Sequence, residues 1–205
     1  MGTNPTGCTE WERDFDPLTE QPKEKRPDMQ RGKILALDVA TKTGVARGRP
    51  GEVPRLQTID FRGDDELPGL YGRAITWMAT TLRDDPPDLI VIERVVPPSG
   101  AKGFTNHDTT MISIGMFGIL CGIINCKSIR LELAAISTWR KHFIGKGNYP
   151  GQIAKKMAVD RCALLGWDAP DHNAAEAAGI WDWAGSTFMG KIPEALHLFG
   201  ERKHA

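Results

Sequence analysis

The chain has 205 residues, 40% of them hydrophobic, and its 26 Lys and Arg residues balance its 26 Asp and Glu residues. This length and composition are ordinary for one globular domain with, at most, a tail, and they exclude a second domain of comparable size. The zero net charge neither requires nor rules out nucleic acid as a partner, so any nucleic-acid site has to be a local basic patch.

The first 32 residues are predicted to be a flexible arm, and residues 33–205 a single domain. The arm is rich in charge and proline and shows no periodicity. It lacks the apolar segment of a secretory signal peptide, which favours a cytoplasmic protein. The four cysteines form no CxxC pair, and Cys121 and Cys126 lie in an apolar stretch that is typical of buried free thiols.

The domain begins with three predicted strands, followed by a helix and a fourth strand. The apolar run KILALDVA predicts a buried strand, and two strands after turns marked by Gly and Pro complete an antiparallel meander. Apolar residues then recur at helical spacing, with Pro68 in the first turn, before the apolar strand DLIVIERV. These elements span residues 33–40, 43–49, 55–61, 66–83 and 88–95.

The second half of the chain contains mostly helices. A loop at 97–106 is predicted to precede a buried helix at 107–125, which is too short and too rich in glycine to span a membrane. Then follow a strand at 128–135, a short helix at 137–143 capped by Ser137, a helix at 151–165 and a last helix from residue 171. This order predicts an α/β fold, in which a five-stranded mixed sheet, made of the meander plus parallel strands, carries helices on its faces.

Two acidic residues end strands that are otherwise apolar. Asp38 ends ILALD, and Glu93 ends LIVIE. A buried carboxylate is costly unless it is neutralised, ion-paired or bound to a metal. One such acid is explained by a pair with Arg94 or Lys42, but two of them, with a third on the last helix, favour a carboxylate cluster of the kind that binds Mg²⁺.

The last helix begins with DHNAAEAAG, which places polar side chains ahead of an apolar segment. Asp171 follows Pro170 and is a good N-cap, but capping does not explain Glu176. On a helix, Glu176 shares a face with Ile180 and Trp183, so we expect it to point toward the sheet that carries the other two acids.

Three segments, ILALDVATKTGVA, DLIVIERV and DHNAAEAAGIWDWA, resemble in order the motifs of the RNase H-like superfamily, and more narrowly of its RuvC-type crossover-junction endonucleases. In that group an Asp ends the first strand, a Glu closes the fourth, and an acidic residue lies on the last helix. WRKHFIGKGN is similar to phage-type relatives, which favours a bacterial or phage-encoded protein. The resemblance covers roughly residues 33–190.

The resemblance implies an RNase H-like nuclease domain that cuts four-way (Holliday) or other branched DNA in recombination or in the processing of replicated DNA. Asp38, Glu93 and Glu176, with Asn173 or Asp171, are implied to hold two Mg²⁺ or Mn²⁺ ions, and the products to carry a 5′-phosphate and a 3′-hydroxyl.

Two positions depart from the pattern of the group. The final acid is usually Asp and is here Glu176, and its partner three residues earlier, often Asp or His, is Asn173. Asn offers a neutral oxygen only, so the site carries less negative charge unless Asp171 or His172 joins it. His172 is a candidate ligand or proton carrier, and an ordinary surface histidine is the alternative.

Contacts with DNA are expected from basic residues near the same edge of the sheet. Phe104, in the loop after the Glu93 strand, is a candidate for stacking on bases, with anchoring of its own loop as the alternative. The other candidates, which are expected to contact phosphates, are Lys102, Arg140, Lys141, Lys146, Lys155 and Lys156. A solvated helix face explains Lys155 and Lys156 equally well.

The helix at 107–125 is also a candidate homodimer interface. Gly115, Gly118 and Gly122 form a smooth face, which suits either a second copy of the chain or packing against its own sheet. A dimer places two active sites for paired nicks on a symmetric junction.

Three rival functions are compatible with the same segments. The first segment also resembles the phosphate loop of the actin, Hsp70 and sugar-kinase group, but that group needs a second phosphate motif and a second domain. The others are a non-catalytic module that binds branched DNA, and another RNase H-like nuclease that acts on flaps or RNA–DNA hybrids.

Overall fold

A computed structural model describes residues 32–64, 67–95 and 107–189, with the backbone alone at 107–110. The predicted arm therefore lies outside the described residues except for Gly32. Five strands form one sheet: β1 (Ile34–Asp38), β2 (Lys42–Gly48), β3 (Arg55–Asp60), β4 (Leu89–Glu93) and β5 (Arg130–Ala134). Their order across the sheet is β3-β2-β1-β4-β5. The first three strands are antiparallel, and β4 is parallel to both β1 and β5, so the predicted mixed α/β sheet is confirmed.

In the described part of the chain, five helices cover the two faces of this sheet. They are α1 (Leu67–Asp84), α2 (His107–Cys126), α3 (Ile136–Ile144), α4 (Gly151–Leu164) and α5 (His172–Phe188). The predicted cap of the short helix is wrong, because α3 begins before Ser137 and its N-cap, Ala135, has no side-chain hydrogen bond. The Ala135 carbonyl instead accepts the backbone N–H groups of Thr138 and Trp139, so α3 starts directly from the end of β5.

Alternate residues of the central strands face different helical layers. Leu35 and Leu37 of β1 pack with α1 and α2, whereas Ile34 and Ala36 pack with α3, α4 and α5. Asp38 points to the same face of the sheet as Ile34 and Ala36, since side chains alternate along a strand. The same alternation on β4 places Glu93 with Leu89 and Val91. Both acids therefore lie on the face covered by α3, α4 and α5.

Helix α5 is the buried centre of its layer and contacts four strands as well as α3 and α4. Small residues dominate its first turns, so its axis lies close to the sheet. The closest approach is at Gly44 of β2, where an added Cβ would lie 2.0 Å from the carbonyl oxygen of Asn173. Gly44 pairs with Asp38 across the β1–β2 ladder. The absence of a side chain at Gly44 thus brings the start of α5 to the end of β1.

Helix α2 packs Met116, Leu120 and Ile124 into the core beneath the sheet. Among the described residues, no helix is both long enough and apolar enough to cross a membrane. The three glycines of α2 have different surroundings. Gly115 packs against Tyr71 of α1, whereas Gly118 and Gly122 have open space where a Cβ would be.

The described cysteines are free thiols with different degrees of burial. Cys162 is buried and Cys121 is half-buried, and burial raises the pKa of the Cys162 thiol to about 12. The prediction that Cys126 is buried is wrong, because it is exposed two residues after the buried Ile124, about 200° around α2 from its core face.

Candidate active site

Three carboxylates from three separate elements meet at the ends of β1 and β4. Leu37 pairs with Ile92 in the parallel β1–β4 ladder, so the next residues, Asp38 and Glu93, are neighbours. Glu176 extends from the second turn of α5 and is buried. The predicted cluster of Asp38, Glu93 and Glu176 is thus brought together by the sheet register and by the close approach of α5.

The electrostatics of Asp38 reflect this proximity. Burial raises the pKa of Asp38 well above its usual value, and the negative charges of Glu93 and Glu176 raise it further. Lys155 and Arg140 lower it and only partly offset the rise. The charged form of Asp38 is therefore disfavoured, as expected for a carboxylate within a group of like charges.

Glu93 is perturbed in the same direction. Burial raises its pKa to about 7, and the charge of Glu176 adds to the rise. A hydrogen bond from the Trp139 indole, with 2.6 Å between Nε1 and Glu93 Oε2, opposes the shift. Glu93 is therefore partly protonated near neutral pH unless a cation compensates its charge.

Two residues of α3 bind two of these carboxylates. Trp139 donates to Glu93, and the next residue, Arg140, places its Nη2 2.7 Å from Glu176 Oε1. The Arg140 and Glu176 side chains are 11% and 6% exposed, so the pair is shielded from solvent. The Arg140 Nε is buried and has no hydrogen-bond partner among the described residues.

Among the described residues, no group of three His, Cys, Asp or Glu side chains has an arrangement that could hold one metal ion. The three carboxylates lie within electrostatic reach of one another, but two of them are engaged by Trp139 and Arg140. Their donor chemistry nevertheless fits a hard divalent cation, because they offer oxygen atoms and a surplus of negative charge in a buried place.

The start of α5 contains the remaining predicted ligands. Asp171 Oδ1 accepts the backbone N–H groups of Asn173 and Ala174 and the hydroxyl of Thr58 on β3. Partial burial acts to raise the pKa of Asp171, but these hydrogen bonds outweigh it and the pKa is lowered. The predicted N-cap is therefore observed, and roles for Asp171, Asn173 and His172 at a metal remain predictions.

The predicted DNA contacts are separated by the structure. Arg140 and Lys155 lie at the carboxylate cluster. Three further predicted lysines are described and are exposed: Lys141, Lys146 above the Tyr149 ring, and Lys156, which pairs with Asp160. Lys102 and Phe104 lie outside the described residues.

Trp139, Thr58 and Gly44 shape the site, and the sequence analysis named no partner for any of them, although glycine at position 44 permits a close backbone approach. Trp139 and Phe143 have the i, i+4 spacing of core residues, so nothing local distinguishes an indole that binds an acid. The contacts of Thr58 with Asp171 and of Gly44 with Asn173 join residues more than 100 positions apart. Only the tertiary fold reveals such pairs.

The stability of the metal-free protein is expected to fall as pH rises from about 5 to 8. Asp38 and Glu93 have raised pKa values in the folded state, so the folded protein holds more protons than the unfolded chain in this window. Urea denaturation in EDTA should show a loss on the order of 1–3 kcal/mol. Glu93→Gln is expected to flatten the slope, and stability that is constant or rising with pH in the parent would contradict this account.

No protein-family model and no curated protein matches the chain. Solved structures do. Thermus thermophilus RuvC in complex with a Holliday junction substrate is 14% identical, with a TM-score of 0.58, and the match covers 78% of this chain and 97% of RuvC. A further Thermus thermophilus RuvC structure is 13% identical with the same coverage and a TM-score of 0.54. The yeast mitochondrial Holliday junction resolvase Ydc2 is 13% identical, with 82% and 84% coverage and a TM-score of 0.53.

These similarities establish the fold of the chain. It is the RNase H-like fold of the RuvC-type resolvases, and the resemblance noted in the three sequence motifs is confirmed at that level. At such identities the structural match concerns the backbone, so the chemistry has to be argued from the residues of this chain.

Proposed function

We propose that the chain is a metal-dependent, structure-specific endonuclease that cuts four-way or other branched DNA. The observation that carries the proposal is the meeting of Asp38, Glu93 and Glu176, from β1, β4 and α5, on an RNase H-like sheet. A partly buried group of like charges, in which Glu176 is buried and Asp38 and Glu93 are partly buried, is unfavourable for stability, which favours a role that requires it. The likeness to resolvases, one of them in complex with a junction, favours branched DNA as the substrate.

Asp38, Glu93 and Glu176 would hold two Mg²⁺ or Mn²⁺ ions, with Asn173 or Asp171 as a further oxygen donor. Bound there, the ions would supply water activation and stabilise the leaving 3′ oxygen, which gives 5′-phosphate products. To bind a cation, Glu176 would have to release Arg140 or bind the cation and Arg140 together. Arg140 would then be available for a DNA phosphate, and Lys155, which like Arg140 lowers the pKa of Asp38, would be a second cation at the same cluster.

The test is incubation of the full chain with labelled four-way junction, flap, duplex and RNA–DNA hybrid, each with Mg²⁺ or EDTA. Symmetric cuts confined to the junction and dependent on Mg²⁺ support the proposal. Cutting of flaps or hybrids instead would assign another RNase H-like nuclease, and binding without cutting would assign a junction-binding module. ATP hydrolysis without nuclease activity would favour the rival with the phosphate loop.

We further propose that the enzyme acts as a homodimer through α2. The described part of α2 beyond its core face carries no charged side chain and exposes Met111 and Ile114, which are 52% and 44% accessible. Gly118 and Gly122 leave room beside them for a second helix. A dimer would present two active sites to the two strands of a symmetric junction.

Ile114→Glu is expected to convert the dimer to a monomer, because a buried unpaired charge is costly at an apolar interface. Light scattering coupled to size exclusion measures the mass. Leu164→Glu is the matched control, since Leu164 is 78% exposed on α4, away from α2. A parent chain that is monomeric at all concentrations, or an Ile114→Glu variant that stays dimeric, would overturn the interface.

A further inference from the structure

The indole of Trp139 is fully buried and hydrogen-bonded to a candidate metal ligand. Its Nε1 lies 2.6 Å from Glu93 Oε2. A buried indole N–H requires an acceptor, and a charged carboxylate gives a stronger bond than a neutral oxygen. Glu93 has two oxygens, and this bond holds one of them, which leaves Oε1 to bind a cation.

The surroundings fix the orientation of the ring. An added Cβ at Gly179 of α5 would lie 2.9 Å from ring atoms Cε3 and Cζ3, so α5 packs directly on the indole. The Arg140 guanidinium lies 5.3 Å from the Trp139 ring centroid while it pairs with Glu176. The direction of the N–H is therefore set by α3 and α5, independently of Glu93.

We propose that Trp139 is a positioning residue, whose indole N–H holds Glu93 in the orientation that binds the divalent cation. This inference rests on the proposed function, since it assigns a cation to Glu93. A carboxylate that is free to rotate has to be ordered when the ion binds, whereas one already held by a rigid donor does not. Trp139 touches neither DNA nor the reacting atoms in this role.

Trp139→Phe tests the role, because it removes the N–H and keeps most of the ring. Mn²⁺ binding to the full chain without DNA is measured by calorimetry, beside the melting temperature in EDTA. We expect Mn²⁺ affinity to fall about 10- to 100-fold, the usual effect of losing a group that orients a ligand. A role in packing alone predicts a lower melting temperature with unchanged affinity, and that result overturns the proposal.

Trp167→Phe is the matched control. Trp167 is buried in the same layer, against Phe143 and Trp181, and lies outside the set of groups that perturb the carboxylates. Its variant should match the parent in Mn²⁺ affinity, and an equal loss in both variants overturns the proposal. A parent chain that binds no Mn²⁺ overturns the proposed function together with this role. If the parent binds Mn²⁺ and cuts DNA, the comparison of the two variants tests the role of Trp139 alone.

A second measurement covers the case in which Trp139→Phe fails to fold. Indole N–H resonances of the ¹⁵N-labelled parent are followed during titration with Mg²⁺. One resonance should shift as the ion binds, and the same resonance should be displaced in the Glu93→Gln variant. If no indole resonance responds to Mg²⁺ concentrations that saturate binding, the proposal is overturned.

Discussion

Asp38→Asn is expected to abolish DNA cleavage while raising the melting temperature of the metal-free protein. Removal of a carboxylate ligand should lower the rate by about 10³-fold or more, the scale observed when a residue essential to chemistry is lost. The stability gain follows from the raised pKa of Asp38, because burial and two neighbouring acids disfavour its charge. Asn keeps the shape and removes the charge, so a gain of about 2–6 °C is expected at neutral pH.

Asp160→Asn is the control for this prediction. Asp160 lies on α4, in the helical layer that covers the Asp38 face of the sheet, but it is exposed and pairs with Lys156. Both cleavage and stability should therefore stay close to the parent. Gel assays with junction DNA measure cutting, and mobility shifts measure binding, which Asp38→Asn should retain. An Asp38→Asn variant that cuts junctions as well as the parent would refute the catalytic assignment.

Gly44→Ala is expected to destabilise the protein strongly. The added methyl group would lie 2.0 Å from the Asn173 carbonyl oxygen and 2.4 Å from its carbon, and both are backbone atoms that cannot rotate away. The start of α5 has to move outward, so a loss of about 3 kcal/mol or more is expected. The same movement displaces Glu176 relative to Asp38, so Mn²⁺ affinity should fall as well.

Gly72→Ala is expected to have the opposite effect on stability. Gly72 lies within α1 with open space where its Cβ would be, so Ala should stabilise the helix by about 0.5–1 kcal/mol. Urea denaturation of both variants, followed by tryptophan fluorescence, measures the difference. Equal effects of the two substitutions would show that α5 does not depend on the close approach at Gly44.

The sheet and the acids were predictable because each has a strong local signal. Asp38 and Glu93 stand out as charges at the ends of strands that are otherwise apolar, and the register that makes them neighbours follows from parallel pairing of those strands. Glu176 was predictable because helical periodicity places it on the same face as Ile180, which is fully buried. A charged residue within an apolar segment can be recognised from the sequence alone.

The partners of the acids were not predictable in the same way. Arg140 was expected to contact DNA because it lies in a basic segment, yet it pairs with Glu176. Trp139 carries no local sign of its bond to Glu93. Such contacts depend on where α3 lies against β4 and α5, and that packing is determined by the whole core.

The hydrogen bond between Thr58 and Asp171 links the outermost strand of the sheet to the first turn of α5. Among the described strands, β3 pairs only with β2, so this bond adds a second anchor to it. Local opening of an edge strand and of a helix end normally occur as separate, low-energy events. Here the two share a hydrogen bond, so we expect fraying of β3 to weaken the cap of α5, and slow amide hydrogen exchange in β3 would report that the helix carrying Glu176 is in place.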